Sequence, residues 1–563
     1  MKRVALFALI AVLVAGGILF AIRRGALTPH PAVATLLPKD TVALVHLPDL
    51  NRMRDQWHSS DIYKLYQEPA MQDFLRKPMA QIPKRDTTAE TLRDVEQLEI
   101  KDGFAALTSI ENNNPVLLAG FRFGAKRSNA ETIIGKWLGQ ISAPPANRQK
   151  IQYEQHEIEV VGEGTSLLAT VYDRDWFFAA NNVDQLKVLL DRTDGRLKES
   201  PLEQDENFRA AMAHLPANYA ACFYVQPKGF ADKLATLRGQ TKSNQSQTMV
   251  EQIRGVSGAL RFDGGKLRDT LFVAMPKQEQ GSELTRSAAA LGTGDTVLYL
   301  ATLLNVEKLA ALNQDATPVA SWLQKVFNTA SRSGITIADW KEAFNLELGA
   351  LADWPQNAHW PSAVATLPVK DRTRASKLVN ALTFAIDEDG AWTKTNKDGT
   401  DYFTLQNPGK LLAITPTLAL SDKLLVAGVD PASVESAIDR SKAGSSGLDQ
   451  SKTYKSAIQA VPEPGNFFAY VDLPVLYQRL DASLRPMLLM AAMFMPAVSR
   501  DVDLTKLPEA EVVAKHLSPI VSSQRYDRDG YVTESVGPIT LGQLVLGVAI
   551  PATFWWKNYN PSH

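Results

Sequence analysis

Chemistry in this chain would have to come from histidines, carboxylates, a thiol or an activated serine, and each leaves a mark in its spacing. The eight histidines are His30, His46, His58, His156, His214, His359, His516 and His563. None stands in an H-x-H or H-E-x-x-H arrangement, the spacings that put metal ligands on one face of a strand or helix. His46 lies in a strand-like run and His214 just before a Leu-Pro helix stop, so both are expected as satisfied structural histidines, while His30 and His563 fall in tails. The single cysteine, Cys222, excludes intramolecular disulfides and cysteine-based metal clusters. Its setting, Ala220-Ala221-Cys222-Phe223-Tyr224-Val225, is apolar, whereas a reactive thiol needs accessible, thiolate-stabilising surroundings. It is expected to be buried and inert.

Gly255-Val256-Ser257-Gly258-Ala259 comes nearest to a nucleophile elbow but lacks the second glycine where the turn needs it. Neither a Walker A loop nor a Rossmann fingerprint is present. Glu154, Glu157, Glu159 and Glu163 are closely spaced. A general acid and base, however, are defined by their separation in space, and alternating Glu157 and Glu159 mark the solvent face of a strand. No catalytic, cofactor-binding or metal-ligating residue is therefore assigned.

Two compositional clusters remain. Met487-Leu488-Leu489-Met490-Ala491-Ala492-Met493-Phe494-Met495-Pro496 is rich in flexible thioethers; a buried helix is its first reading, a lipid-contacting helix or partner groove its second. Trp340, Trp354 and Trp360 could stack a ligand but are expected mainly in the core.

The elements that would have to position any of these residues follow from the rest of the chain. With 563 residues, 45% hydrophobic and 21% charged, the chain can bury large cores. A net charge of -1 supplies no field for phosphate backbones, so nucleic acid is not an expected partner. Val4 to Ile22 is uncharged, long enough for a bilayer, preceded by Lys2 and Arg3 and closed by Arg23 and Arg24 rather than by a cleavage site. It reads as an uncleaved anchor with its N-terminus inside and the bulk of the chain outside the cytoplasm. Val536 to Phe554 is uncharged too, ends at Trp555-Trp556-Lys557, and reads either as a second membrane helix or as a buried strand with a tail.

An internal repeat organises what lies between. Asp175 to Arg192 and Asp422 to Arg440 each present an apolar strand, a polar turn and a helix ending in Asp-Arg. The match continues with Phe208 to Pro216 against Tyr454 to Pro462, Cys222 to Val225 against Phe468 to Val471, and Arg261 to Gly265 against Arg525 to Gly530. Asp40 to Val45 matches Asp295 to Leu300 at the starts. Asp49 and Asp472 are placed as helix N-caps. Ile151 to Val161 and Ser166 to Tyr172 must pair through short turns, which breaks strict βαβ alternation.

The expected class is α+β: two tandem pseudo-symmetric repeats, each a mostly antiparallel mixed sheet with helices on one face, plus an N-terminal transmembrane helix. The expected division is 1–25 anchor, 26–35 spacer, 36–282 first repeat, 283–535 second repeat, and 536–563 a C-terminal segment that is either a membrane helix with its tail or a strand with its tail.

Leu36 to Leu50, the strand-helix unit ending at Arg192, and the Ala469-Tyr470-Val471-Asp472-Leu473 strand resemble an uncharacterised bacterial envelope family, the domain of unknown function numbered 3352. The resemblance covers most of Leu36 to Thr540. It implies a signal-anchored protein of the bacterial inner membrane, facing the periplasm or exterior, and carries over no catalytic residue. The function expected first is a non-enzymatic envelope protein that binds an unidentified partner or scaffolds an assembly. A carrier or sensor of an apolar ligand, and an extracytoplasmic hydrolase without a recognisable motif, are the alternatives.

Overall fold

A computed structural model of the chain describes residues 32–81, 87–111, 114–141, 148–164, 167–227, 252–278, 283–310, 327–386, 391–405, 415–444, 447–494 and 502–544. The expected anchor, Val4 to Ile22, lies outside them, as do His30 and His563. Among the described residues no helix is long and apolar enough to cross a membrane.

The chain divides into two compact units. One holds Met1–Pro276 with the short pieces Arg500–Leu507 and Asp527–Thr533; the other holds Lys277–Ser499, Pro508–Tyr526 and Glu534–His563.

In the first unit the strands are β1 (Ala43–Asp49), β2 (Ile100–Glu111), β3 (Asn114–Phe123), β4 (Arg148–Tyr153), β5 (His156–Val161), β6 (Leu168–Asp173), β7 (Trp176–Ala180), β8 (Ala221–Val225), β9 (Gly255–Asp263) and β10 (Lys266–Ala274). They pair in the order β10-β9-β8-β1-β2-β3-β7-β6-β5-β4.

The second unit has β11 (Thr296–Leu303), β12 (Glu347–Asp353), β13 (Ser362–Pro368), β14 (Trp392–Lys397), β15 (Thr400–Leu405), β16 (Thr417–Leu420), β17 (Leu424–Gly428), β18 (Phe467–Val471) and β19 (Ile520–Asp527). Their order is β19-β18-β11-β12-β13-β17-β16-β15-β14. Every pairing whose register is described is antiparallel, so the mixed character expected of the sheets is not found there.

Ile151 to Val161 is two strands rather than one. The chain reverses at Glu154, which takes the left-handed conformation (φ 51), so that Tyr153 faces His156.

Both sheet faces carry helices, which corrects the expectation of one covered face. In β7, Phe178 and Ala180 join a core with Leu186, Leu189 and Leu190 of the helix Val183–Thr193 and Phe208 of the helix Glu206–Met212. Phe177 and Ala179 point the other way, into a core with Met53 of the helix Leu50–His58, Leu98 of the helix Thr87–Leu98, and Ile133 and Ile134 of the helix Arg127–Ile141. A strand apolar at every position has two faces to bury. The second unit follows the same rule: Val434, Ala437 and Ile438 of the helix Pro431–Ala443 belong to one core, and Ala375, Leu378 and Val379 of the helix Arg372–Ile386 to another.

The N-caps are where the sequence puts them. Asp49 accepts from the backbone N–H of Arg52 at 2.8 Å, and Asp472 from that of Val475 at 3.2 Å. Order begins earlier than Leu36, because Val33 and Ala34, assigned to the spacer, are fully buried in a short 3-10 helix, Ala32–Thr35.

The C-terminal apolar segment also departs from a uniform helix. Val536 and Gly537 close strand β20 (Gly530–Gly537). Thr540 then starts a helical turn through a reciprocal cap with Gln543: its hydroxyl accepts from the Gln543 N–H at 3.3 Å, and its own N–H donates to Gln543 Oε1 at 3.1 Å. Residues 545–554 lie outside the described residues.

Candidate functional site

The side chains best able to do chemistry converge in the middle of the first unit, inside its sheet. In the β1–β8 register His46 faces Cys222, and in the β1–β2 register it faces Phe104. His46 is 0% exposed. Its Nδ1 lies 2.9 Å from the hydroxyl of Tyr219, which is in hydrogen-bonding contact with Cys222. On the other side Nε2 looks toward Asp102 Oδ1 at 3.7 Å.

Asp102 reaches this place through a backbone irregularity. The β2–β3 register shifts between Lys101 and Phe104, and Asp102 itself takes φ 47. Such a bulge re-aims one side chain out of the alternation. Arg122 of β3 completes the row, donating to Asp102 Oδ2 from Nη2 at 2.6 Å and from Nε at 3.0 Å.

Burial sets the electrostatics of this row. It pulls the His46 imidazole below its ordinary value, with Asp102 opposing, and pushes the Cys222 thiol up to about 12. Burial works to raise the Asp102 carboxyl as well, but His46 and Arg122 together hold it below the usual carboxylate range. The carboxylate facing Nε2 assigns the imidazole proton to that nitrogen, which leaves Nδ1 to accept from the Tyr219 hydroxyl. The result is a buried polar row from Arg122 to Cys222 with a gap at its centre, where His46 Nε2 stands 3.7 Å from Asp102 Oδ1 without a hydrogen-bond partner. It suits a neutral histidine and a protonated thiol, and the expectation of an inert Cys222 agrees with it.

Two further histidines are held in the same manner. His156 Nε2 lies 2.9 Å from Asp194 Oδ2, and Arg196 bridges Asp194 (2.5 Å) to Asp191 (2.7 Å). His214 stacks on Phe272, ring centres 3.9 Å apart, with Nε2 3.3 Å from Asp529 Oδ1. Ser257 is buried and donates to the backbone carbonyl of Ala211 at 2.9 Å, a structural bond rather than a poised nucleophile. Glu157 and Glu159 face solvent and pair with Lys150 and Arg148 across the β4–β5 hairpin. Among the described residues no group of three His, Cys, Asp or Glu is arranged to hold a metal ion.

Among the described residues clefts lie elsewhere that sequence reasoning missed. In the second unit a cleft of about 720 Å³ is lined by Ser287, Thr366, Lys423, Leu424, Arg440 and Asp449. In the first unit a smaller one of about 350 Å³ is lined by Lys39, Asp40, Arg192, Glu199 and Asp205. Each holds the arginine of the Asp-Arg pair that closes the repeated strand-helix segment. The chain signalled those arginines only as helix ends. Arg192 donates to the Glu199 carbonyl at 2.9 Å, and Arg440 pairs with Asp353 at 3.3 Å.

The tryptophans occupy three different settings. Trp354 is buried and donates to the Ala358 carbonyl, Trp340 packs on Phe327 and Phe344, and Trp360 is 64% exposed at a loop. Trp360 thus departs from the core placement expected. So does the methionine cluster. It ends the 22-residue helix Leu473–Phe494, and Met487 (53%), Leu488 (39%) and Met490 (56%) are exposed rather than buried.

Residues 270–491 match the model of a family described as "Protein of unknown function (DUF3352)". This is the family that the sequence resembles, over a shorter stretch than Leu36 to Thr540. Crystal forms III and IV of TP0453 are each similar at 7% identity over 44% of this chain and 81% of that one, with a TM-score of 0.26. Crystal form I is similar at 6% identity over 46% and 82%, with a TM-score of 0.21. No curated protein matches the chain.

Proposed function

We propose that the chain is a membrane-anchored extracytoplasmic protein of two tandem copies of one α+β unit, acting in the bacterial envelope by binding or scaffolding rather than by catalysis. One observation carries the reading. The residues with chemical potential, His46, Cys222, His156 and His214, are spent on internal partners, whereas the exposed end of the helix Leu473–Phe494 offers apolar side chains to something outside the chain. The like order of strand neighbours in the two units supports the duplication. So does the shared strand-turn-helix of Trp176–Ala180 with Val183–Thr193 and of Leu424–Gly428 with Pro431–Ala443.

A carrier or sensor is the second reading, favoured by the cleft of about 720 Å³. Its Lys423, Arg440 and Asp449 suit a polar ligand better than an apolar one, which ranks it lower.

Fractionation of bacteria expressing the full chain tests the main reading. The protein is expected in the inner-membrane fraction and should be degraded by protease added to intact spheroplasts. A soluble product trimmed near residue 25, or full protection until lysis, would overturn it.

A further inference from the structure

Each unit carries an arginine in the last turn of the repeated helix, Arg192 in Val183–Thr193 and Arg440 in Pro431–Ala443. Both Nε atoms are shielded from water and find no partner among the described residues. The two guanidinium groups are otherwise met in different ways.

In the first unit the chain supplies the partner. Arg192 Nη1 donates to the Glu199 carbonyl at 2.9 Å, the Glu199 carboxylate stands 3.8 Å from Nη2, and the Arg192 side chain is only 4% exposed. The adjoining cleft of about 350 Å³ sets Asp40, Glu199 and Asp205 against Lys39 and Arg192, so acids already outnumber bases there.

The second unit lacks this filling. Nine residues separate Arg192 from Leu202, where the next 3-10 helix starts, and they include Asp194 and Glu199; seven separate Arg440 from Leu448 and none is acidic. The cleft beside Arg440 is about twice as large, at about 720 Å³. Arg440 donates to Ser436 Oγ from Nη1 at 2.8 Å and to Asp353 Oδ2 from Nη2 at 3.3 Å, which uses two of its five N–H groups. Lys423 lines the same cleft, is exposed, and forms no ion pair with a described residue. The 3-10 helix Leu448–Gln450 adds Asp449, whose Oδ2 accepts from Gln450 at 3.0 Å and whose Oδ1 is buried without a partner.

These groups define a ligand by its charges. Lys423 and Arg440 favour a negative group, and Asp449 Oδ1 favours a donor, a positively charged one most of all. With Asp353 set against Arg440 the charges of the site balance, and a ligand that keeps the balance carries one charge of each sign. Leu291, Pro368 and Leu424 complete the wall with apolar surface that suits a small aliphatic body between the two ends.

We propose that this cleft of the second unit binds a small zwitterion, an amino acid or short peptide with free ends. The ligand carboxylate lies at Lys423 and Arg440, and its ammonium at Asp449. Glu199 meets Arg192 from within the first unit as the ligand carboxylate meets Arg440, so the repeat keeps one such site and closes the other. The site goes beyond the scaffolding role and is independent of the membrane anchor.

The test titrates alanyl-alanine into the detergent-solubilised full chain, read by calorimetry and by the unfolding temperature. N-acetyl-alanyl-alanine, which lacks the ammonium, and alanyl-alanine amide, which lacks the carboxylate, are titrated beside it. The free dipeptide should bind at one equivalent per chain and each blocked form about tenfold more weakly or less. Lys423→Gln should weaken the free dipeptide about tenfold and leave the amide unchanged, and Asp449→Asn should weaken the free dipeptide and leave the acetylated form unchanged. Lys39→Gln, in the first unit's cleft, should alter none of these. Lys423 is exposed, so Lys423→Gln decides the matter if Asp449→Asn does not fold. Blocked forms that bind as well as the free dipeptide overturn the inference, as does saturation at two equivalents. Absence of both saturable heat and a rise in unfolding temperature with millimolar alanyl-alanine, alanine and glutamate overturns it too. Fractionation bears on the anchor and this titration on the cleft, so either reading can fail alone.

Discussion

The Tyr219 hydroxyl and Nδ1 of His46 lie 2.9 Å apart inside the first unit, and this contact joins a thiol on one side to an ion pair on the other. Tyr219 touches Cys222; His46 faces Asp102, and Asp102 is clamped by Arg122. In the second unit the β11–β18 register sets Ala301 opposite Phe468, a ring against a methyl group, where the β1–β8 register of the first unit sets His46 opposite Cys222. Apolar packing is the cheaper solution, since each member of a buried polar row must be satisfied.

Removing the hydroxyl should therefore cost more than the bond it makes. In Tyr219→Phe the buried Nδ1 of His46 loses its partner, and the expected loss is about 1–3 kcal/mol of folding stability. Equilibrium unfolding in urea measures it. A change below about 0.5 kcal/mol would mean that His46 adopts the other tautomer or finds a new partner.

Acid should weaken the first unit in two separate windows. The folded His46 has its pKa below the ordinary 6.5, so the unfolded chain takes up a proton that the folded chain refuses. Its stabilising effect is complete above 6.5 and declines as pH falls from there toward the lowered value. For Asp102, held below the ordinary 3.8, stability is complete above 3.8 and is lost as pH falls through the lowered value. Urea midpoints of the wild type and His46→Gln, followed from neutral pH to about 5, should converge as pH falls. Parallel curves would remove His46 from this account.

Cys222 should be silent in the native protein. With the thiol pushed up to about 12, only about one molecule in ten thousand is thiolate at about pH 8, before its burial is considered. An aromatic disulfide reagent should label it only after denaturation, one equivalent per chain. Fast labelling of the folded protein would show that β8 opens locally.

Much of this was legible in the chain because it is local. The alternation of Glu157 and Glu159, the caps at Asp49 and Asp472, and the turn at Gly530 are decided within a few residues, whereas the reversal at Glu154, a non-glycine residue in the left-handed region, carries no such signal. The polar row was not legible. It needs Asp102, carried by a bulge in β2, to meet His46 from β1 and Tyr219 from the approach to β8, and no spacing encodes such a meeting. The second helical layer could have been inferred from Trp176-Phe177-Phe178-Ala179-Ala180, since a strand apolar at every position has two faces to cover. The exposed methionines defeat composition outright, because a run of Met and Leu reads alike in a core and on an exposed helix end.

Close packing at Gly349 supplies a test of the second unit. This glycine lies within β12, opposite Thr366 of β13, beneath the 3-10 helix Ser287–Leu291. A Cβ added there would come 2.3 Å from the Cβ of Ala288 and 2.7 Å from Thr366 Oγ1. Neither neighbour can yield easily, since a Cβ moves only with its backbone and Thr366 is buried. Gly349→Ala should therefore cost about 1–3 kcal/mol through overpacking, where Gly294→Ala, with open space around it, should stay within about 0.5 kcal/mol. Ala288→Gly in the Gly349→Ala background removes the nearer clash and leaves the one with Thr366. The double variant should recover part of the loss, giving a coupling energy of about 0.5 kcal/mol or more between the two sites. Additive effects would show that the 3-10 helix does not sit on β12 as described.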